Sequence, residues 1–186
     1  MELENTFVVG APPDQAWTLL NDVPRVVPCL PGAALTEVVS DDAWKATLAV
    51  RLGPISLNFN VDVERERMDE PGRLVVLRAK ARELRGRGGA EATLRSSLAE
   101  ADGGTRVSIV TDLTLRGVVA QYGRGVVADV ASQLTDEFAA CIASRLRGEH
   151  SGAAANPDST QPVGGGRLVF SALLRSLARR LRLRPR

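Results

Sequence analysis

The sequence has few of the residues from which metal sites and catalytic centres are usually built, with two cysteines, one histidine and one tyrosine among 186 residues. Cys29 and Cys141 do not form the spaced sets of a disulfide framework or of a thiolate metal site, which favours a reducing, cytoplasmic compartment. His150 stands alone, so neither a histidine metal site nor a Ser-His-Asp arrangement is expected. The sequence therefore predicts no metal, no covalent cofactor and no catalytic residues.

Long apolar segments are missing as well. No window contains the roughly 18 uninterrupted apolar residues of a membrane-spanning helix. Residues 1–5 are acidic and polar, where a secretory signal would be cationic and then apolar. We therefore expect the chain to stay in the cytoplasm, where it is made.

The clearest pattern present is a two-residue alternation of apolar and polar side chains. Since successive side chains of a strand point to opposite faces, this pattern predicts an antiparallel sheet with one apolar and one wet face. A strand over residues 3–9 and two short helical pieces before Pro31 precede the sheet. The alternating segments, separated by Gly-containing joints, are 44–52, 55–64, 73–82, 90–98 and 105–115.

Near Gly117 the spacing of the apolar residues changes from the two-residue period of a strand to the period of a helix. Large side chains from Val119 to Cys141 then fall on one side of a helix that ends at about Arg147 and is roughly 45 Å long. A strand, two short helices, a run of strands and one long terminal helix make the α+β order of a helix-grip fold. In that fold a curved antiparallel sheet wraps around the long C-terminal helix.

Two segments follow this domain of residues 1–147. Residues 148–166 are rich in Gly, Ala and polar residues, which predicts a flexible linker. Residues 167–186 contain seven arginines and no acid, although the formal net charge of the chain is only +2. As a helix, this tail has an apolar face and a basic face, formed respectively by Phe170, Leu173, Leu174, Leu177 and Leu181, and by Arg175, Arg179, Arg182 and Arg186.

The tail is typical of a basic amphipathic helix on an anionic membrane surface, with leucines at the acyl boundary and arginines at the headgroups. A groove on a partner protein is an alternative for the same pattern. Arginines also bind nucleic acid, but the tail lacks the exposed stacking aromatics of a single-strand binder. We therefore expect a membrane surface and no nucleic acid as the partner of the tail.

Two stretches carry a family resemblance. One is Ala-Pro-Pro-Asp-Gln-Ala-Trp-Thr-Leu-Leu-Asn-Asp at 11–22, followed by Cys-Leu-Pro-Gly at 29–32; the other is Gly-Val-Val-Ala-Gln-Tyr-Gly-Arg-Gly-Val-Val at 117–127. With the Gly-Pro joint at 53–54, they resemble the carbon monoxide dehydrogenase CoxG family of the SRPBCC (START-like) superfamily. The resemblance implies a START/Bet v 1-like fold with an internal apolar cavity. It also implies a non-enzymatic accessory role beside a molybdenum hydroxylase of the CO dehydrogenase type.

Such a cavity is expected to take a lipophilic ligand. Because the resembled family serves a redox enzyme, we expect a respiratory quinone of the menaquinone or ubiquinone type, with its isoprenoid chain in the cavity. Cys29 is interpreted as a cavity-lining thiol rather than a reactive one. The residues expected near the ligand follow the short helices or point inward from the sheet and the long helix: Pro28, Cys29, Leu30, Leu57, Phe59, Val61, Leu77, Val119, Tyr122 and Val126.

Tyr122 is the residue expected to contact the quinone ring, because its ring can line an apolar wall while its hydroxyl donates to a carbonyl. Gln121 and Arg124 are the other donors nearby. Glycine weakens a helix, so Gly123 and Gly125 indicate either a close approach of another backbone or ligand, or a helix start packed tightly on the sheet.

The function expected from these features is to carry a quinone between the membrane and the hydroxylase, from a position attached peripherally to the inner face of the cytoplasmic membrane. Two alternatives stay open. The first is a recruitment adaptor that docks the hydroxylase on the membrane without any ligand. The second is a polyketide-cyclase-like START-domain enzyme, which would need convergent polar groups in the cavity.

Deleting residues 167–186 should move the protein from the membrane fraction to the soluble fraction, since the apolar and basic faces of the tail act together. The melting temperature of the folded domain should stay almost unchanged. Replacing Leu173, Leu174 and Leu177 by Ser should have the same effect in a vesicle-flotation assay. Equal vesicle binding by the truncated and full-length chains would contradict this prediction.

Overall fold

The computed structural model describes residues 1–52 and 55–151. Within them, seven strands form one sheet and three α-helices pack against it. The strands are β1 (Glu2–Val9), β2 (Ala33–Ser40), β3 (Ala43–Leu52), β4 (Ile55–Asp69), β5 (Leu74–Glu83), β6 (Gly88–Ala101) and β7 (Gly104–Gly117). The helices are α1 (Pro13–Asn21), α2 (Val23–Val26) and α3 (Gly123–Ser151), with short 3-10 helices at Val27–Cys29 and Val118–Tyr122.

The strand order is β1-β7-β6-β5-β4-β3-β2, and every neighbouring pair is antiparallel. Strands β2 to β7 form a meander, whereas β1 and β2 occupy opposite edges of the sheet. The connection between these two strands, which contains α1 and α2, therefore crosses the width of the sheet. This arrangement confirms the helix-grip fold predicted from the sequence.

Strand β2 was not predicted, because it lies at an edge and its residues from Thr36 to Ser40 are all exposed. Because the core covers neither face of this stretch, nothing selects an alternation of apolar and polar side chains there. Its pairing with β3 also contains two register shifts, which break the two-residue period.

Helix α3 begins later and ends later than the sequence pattern indicated. Gly117 adopts a φ of +70°, and a β-carbon there would come within 2.7 Å of the carbonyl oxygen of Arg87. The chain turns at this glycine and continues through a 3-10 helix before α3 starts at Gly123. At its other end α3 reaches Ser151, so residues 148–151 of the predicted linker are helical. Of the helices described, none is both long and apolar enough to span a bilayer.

The main core lies where α1 and the C-terminal half of α3 meet β1, β5, β6 and β7. Phe7 and Phe138 pack edge to face, with ring centroids 6.1 Å apart. The buried Thr105 hydroxyl donates to the carbonyl oxygen of Ala11 at 2.7 Å, which satisfies the polar group on this apolar side. Among the buried members of the main core are Val9, Trp17, Leu19, Cys29, Val107, Ile142 and Leu146.

Cys29 and Cys141 form a disulfide, so the interpretation of both as unpaired thiols was wrong. The two residues are 112 positions apart, and they meet because α3 folds back across the sheet to the 3-10 helix at Val27–Cys29. Spacing along the chain gives no sign of such a pairing. Since disulfides persist mainly in oxidising compartments, the bond also removes the support that the cysteines lent to a reducing compartment.

Replacing both cysteines by Ala should lower the free energy of unfolding by about 2–5 kcal/mol, because the bond closes a long loop and restricts the unfolded chain. Urea titrations of the oxidised protein, the reduced protein and the double variant measure the effect. The reduced protein should resemble the variant. The same urea midpoint for all three, with the bond verified by mass, would contradict the prediction.

Candidate ligand-binding site

Five of the ten residues predicted to contact a ligand lie together in a second core. Leu57 and Phe59 of β4 are buried there with Val119, which follows β7. Val61 and Tyr122 pack against these three and are only partly buried. The alternation of β4 brings its three members to one face, and the turn at Gly117 brings Val119 and Tyr122 over them.

The other five predicted residues lie elsewhere. Cys29 and Leu77 belong to the main core, where Cys29 is bonded to Cys141 rather than presented as a thiol. Pro28 is exposed and Leu30 is half-buried. Val126 is 42% exposed, one helical turn beyond Tyr122. The predicted membrane-binding residues, Phe170 to Arg186, lie outside the described residues.

Small side chains form the floor between the two cores. Ala79 and Ala81 of β5 pair with Ala92 and Ala90 of β6, and Val61 of β4 pairs with Ala81. All of these residues are on the inner face, yet all are only half-buried. Helix α3 packs mainly against β1 and touches α1 and both 3-10 helices. Val130 of α3 packs against the second core together with Ala81, yet the alanines beneath the helix stay half-buried.

Gly123 and Gly125 do not mark a close approach. A β-carbon at either position would meet no atom within 4 Å in the described structure. Gly123 is required instead by its φ of +69°, which other residues rarely adopt. The two glycines thus face open space beside the half-buried Tyr122, while Arg124 Nη2 donates to the carbonyl oxygen of Glu2 in β1 at 3.1 Å.

An ion pair missed by the sequence reasoning lies at the edge of the second core. Glu83 pairs with Phe59 across β5 and β4, and its side chain is 1% exposed. Arg87 Nη2 donates to Glu83 Oε1 at 2.9 Å and to the carbonyl oxygen of Ser56 at 3.0 Å. The backbone N–H groups of Arg85 and Arg87 donate to Glu83 Oε2. The sequence did contain a signal for this ion pair. The inward positions of β5 are Val75, Leu77, Ala79 and Ala81, and the next one is occupied by the carboxylate of Glu83.

These contacts fix the charge of both side chains. The hydrogen bond from Arg87 outweighs burial and, with the two backbone N–H groups, lowers the pKa of Glu83 to about 2. The hydrogen bond to Glu83 raises the pKa of Arg87, and the charge of Glu83 and the Tyr122 hydroxyl act in the same direction. Among the residues that the structure describes, the buried Nε–H of Arg87 has no hydrogen-bond partner. The apolar floor therefore ends at the ion pair of Glu83 and Arg87, which has no net charge and whose Nε–H can donate a further hydrogen bond.

The outer face of the sheet holds a different feature, an open depression of about 420 Å³ lined by Lys45, Asn60, Asp62 and Arg82. Five of its seven lining residues are polar or charged, Ala46 and Val61 being the exceptions, so it does not suit a lipophilic ligand. Nowhere in residues 1–52 and 55–151 do three or more His, Cys, Asp or Glu side chains gather in a way that could hold a metal ion.

The family model of the carbon monoxide dehydrogenase component CoxG matches residues 6–147. No protein with curated function matches the chain.

Solved structures share the fold at low sequence identity. A conserved protein from Geobacillus kaustophilus has a TM-score of 0.72 at 18% identity, covering 80% of this chain and 97% of that chain. The Zhui aromatase/cyclase from Streptomyces sp. R1128 has a TM-score of 0.60 at 15% identity, covering 84% and 99%. Ara h 8.0201 has a TM-score of 0.55 at 15% identity, covering 80% and 98%. At such identities the likeness shows the helix-grip fold alone.

Acid should weaken the fold through Glu83. Its pKa in the folded state is about 2 against an ordinary value of 4.5, so the ion pair contributes stability above about pH 4.5 that is lost as the pH falls toward 2. Urea midpoints measured between pH 6 and 3 should fall more steeply for the natural protein than for Glu83→Gln. Glu100→Gln, at an exposed position of β6, is the matched control and should keep the natural slope. The same pH slope for Glu83→Gln and the natural protein would contradict this role.

Proposed function

Because the chain belongs to the carbon monoxide dehydrogenase CoxG family, we propose that it is a non-catalytic accessory protein of a CO dehydrogenase-type molybdenum hydroxylase. In this role it binds a respiratory quinone and links the enzyme to the membrane. The observation that carries the ligand-binding part is the floor of half-buried alanines on the inner face of β5 and β6. Apolar surface left open to solvent inside a fold costs free energy unless a ligand covers it.

The chemistry at the end of this floor favours a neutral ligand with a carbonyl oxygen. A hydrocarbon chain can lie along Ala79, Ala81, Ala90 and Ala92, which leave more room than larger side chains would. Glu83 and Arg87 together carry no net charge. A fatty acid carboxylate would therefore be repelled by Glu83 and would find no unpaired cation to bind. A quinone carbonyl instead accepts a hydrogen bond from a neutral donor such as the Tyr122 hydroxyl.

The membrane part of the proposal rests on the tail of residues 167–186 and on its basic amphipathic pattern. Attachment to the inner face of the cytoplasmic membrane would place the open floor close to the lipid from which a quinone comes. The adaptor alternative keeps the tail and the hydroxylase but needs no ligand. The aromatase/cyclase among the structural relatives is the reason to keep an enzyme as the third candidate.

Titrating the full-length protein with a quinone and with an isoprenoid that lacks the ring tests the proposal, using tryptophan fluorescence quenching. Both ligands should bind saturably. Tyr122→Phe should weaken quinone binding by about 0.5–1.5 kcal/mol, up to roughly tenfold, and leave the ring-free isoprenoid unaffected. Ala81→Leu should weaken both ligands, because it fills the floor, whereas Ala99→Leu on an exposed position of β6 should change neither.

Each other outcome points to a different function. Parallel losses for both ligands in Tyr122→Phe would mean that Tyr122 only packs against the ligand. Absence of saturable binding, together with tight binding to the hydroxylase, would favour the adaptor. Turnover of an aromatic polyketide would favour the enzyme.

A further inference from the structure

Three chain segments meet at one end of the sheet, and backbone hydrogen bonds hold them together. The Leu84 N–H donates to the carbonyl oxygen of Asn58 at 2.9 Å, and the Val118 N–H donates to that of Arg87 at 2.8 Å. Arg87 in turn reaches the carbonyl oxygen of Ser56. This end, which we call the lip, comprises residues 50–51, 55–58, 82–90 and 114–126.

The lip exposes large apolar side chains. Ile55, Leu84, Val118 and Val126 are 36%, 59%, 42% and 42% exposed. They come from β4, the β5–β6 turn, the 3-10 helix and the start of α3, so they surround the second core rather than follow one strand. Exposed apolar groups gathered at one end of a domain indicate a surface that meets a partner.

The lip is also strongly basic. It contains a single acid, Glu83, which is buried and paired. Its six basic residues are Arg51, Arg82, Arg85, Arg87, Arg116 and Arg124. The opposite end of the sheet, residues 37–43, 65–75 and 98–106, contains eight acids and four arginines. At the border of the lip, Arg116 Nη2 also pairs with Glu91 Oε1 at 3.4 Å, and counting this carboxylate leaves a net +4 at one end of the described domain and −4 at the other.

We propose that the lip docks the folded domain on an anionic lipid bilayer, independently of the tail and of any bound quinone. Arginines beside partly exposed aliphatic side chains match the boundary between phosphate headgroups and acyl chains, where each group meets its preferred surroundings. Exposed apolar side chains at the acidic end, such as Val38 and Val39, do not suit this boundary, because the acidic residues around them are repelled by anionic headgroups. Docking by the lip would turn the start of α3 and the half-buried Tyr122 toward the membrane.

The test uses the full chain with Leu173, Leu174 and Leu177 changed to Ser, which disables the tail. At physiological salt this protein should be mostly unbound, as predicted above, but at low salt it should still float with phosphatidylcholine vesicles containing phosphatidylglycerol, and high salt should release it. Adding Leu84→Ser and Val118→Ser should weaken that binding about tenfold or more, since both side chains are surface groups that would enter the bilayer. Val38→Ser with Val39→Ser removes similar apolar surface at the acidic end and should leave binding unchanged.

Two results would overturn the proposal. One is that the tail-disabled protein does not bind anionic vesicles at any salt concentration, which would leave an acidic protein surface as the occupant of the lip. The other is equal loss of binding in the lip variant and in the Val38/Val39 control. Circular dichroism of each variant verifies that the fold is retained. Neither result depends on whether the protein binds a quinone.

Discussion

Two helices, α1 and α3, cover the apolar face of the seven-stranded sheet, and the rest of the structure depends on how far they reach across it. Only one side of helix α3 can face the sheet, whereas the inner face of the sheet extends from β1 at one edge to β2 at the other. Its C-terminal half packs into the main core and is fixed to the 3-10 helix by the disulfide. In the N-terminal half of α3, Val130 packs against the second core, but the alanines of β5 and β6 stay half-buried. The open floor is thus a geometric result of the fold rather than a local defect in packing.

The ion pair of Glu83 and Arg87 follows from the same geometry. Where the inner face reaches the end of the sheet, the chain places a carboxylate at an inward position and then satisfies it with a guanidinium and two backbone N–H groups. The pairing needs the chain to pass very close to β7, because a β-carbon at Gly88 would lie 2.1 Å from the carbonyl oxygen of Arg116. The glycines of the β5–β6 turn therefore serve to bring the pair to the edge of the second core.

The sequence was informative where side chains repeat and uninformative where distant segments meet. Alternation along β3 to β7 predicted those strands and the face that carries Leu57, Phe59 and Val61. Strand β2 was missed because most of its residues are exposed on both faces, which leaves no apolar alternation to detect. The bond between Cys29 and Cys141 depends on the path of α3, which no spacing encodes. Glu83 could have been noticed, since a carboxylate interrupts an otherwise apolar row, but its partner four residues later looked like part of a glycine turn.

Helix α3 also links the two ends of the sheet. From Gly123 at the lip to Arg145, which donates to the carbonyl oxygen of Arg25 in α2, it rises about 33 Å at 1.5 Å per residue. The disulfide at Cys141 holds the helix close to the second of these points. Any tilt of the helix away from the sheet would therefore pivot near Cys141 and would be largest at Gly123, beside the open floor.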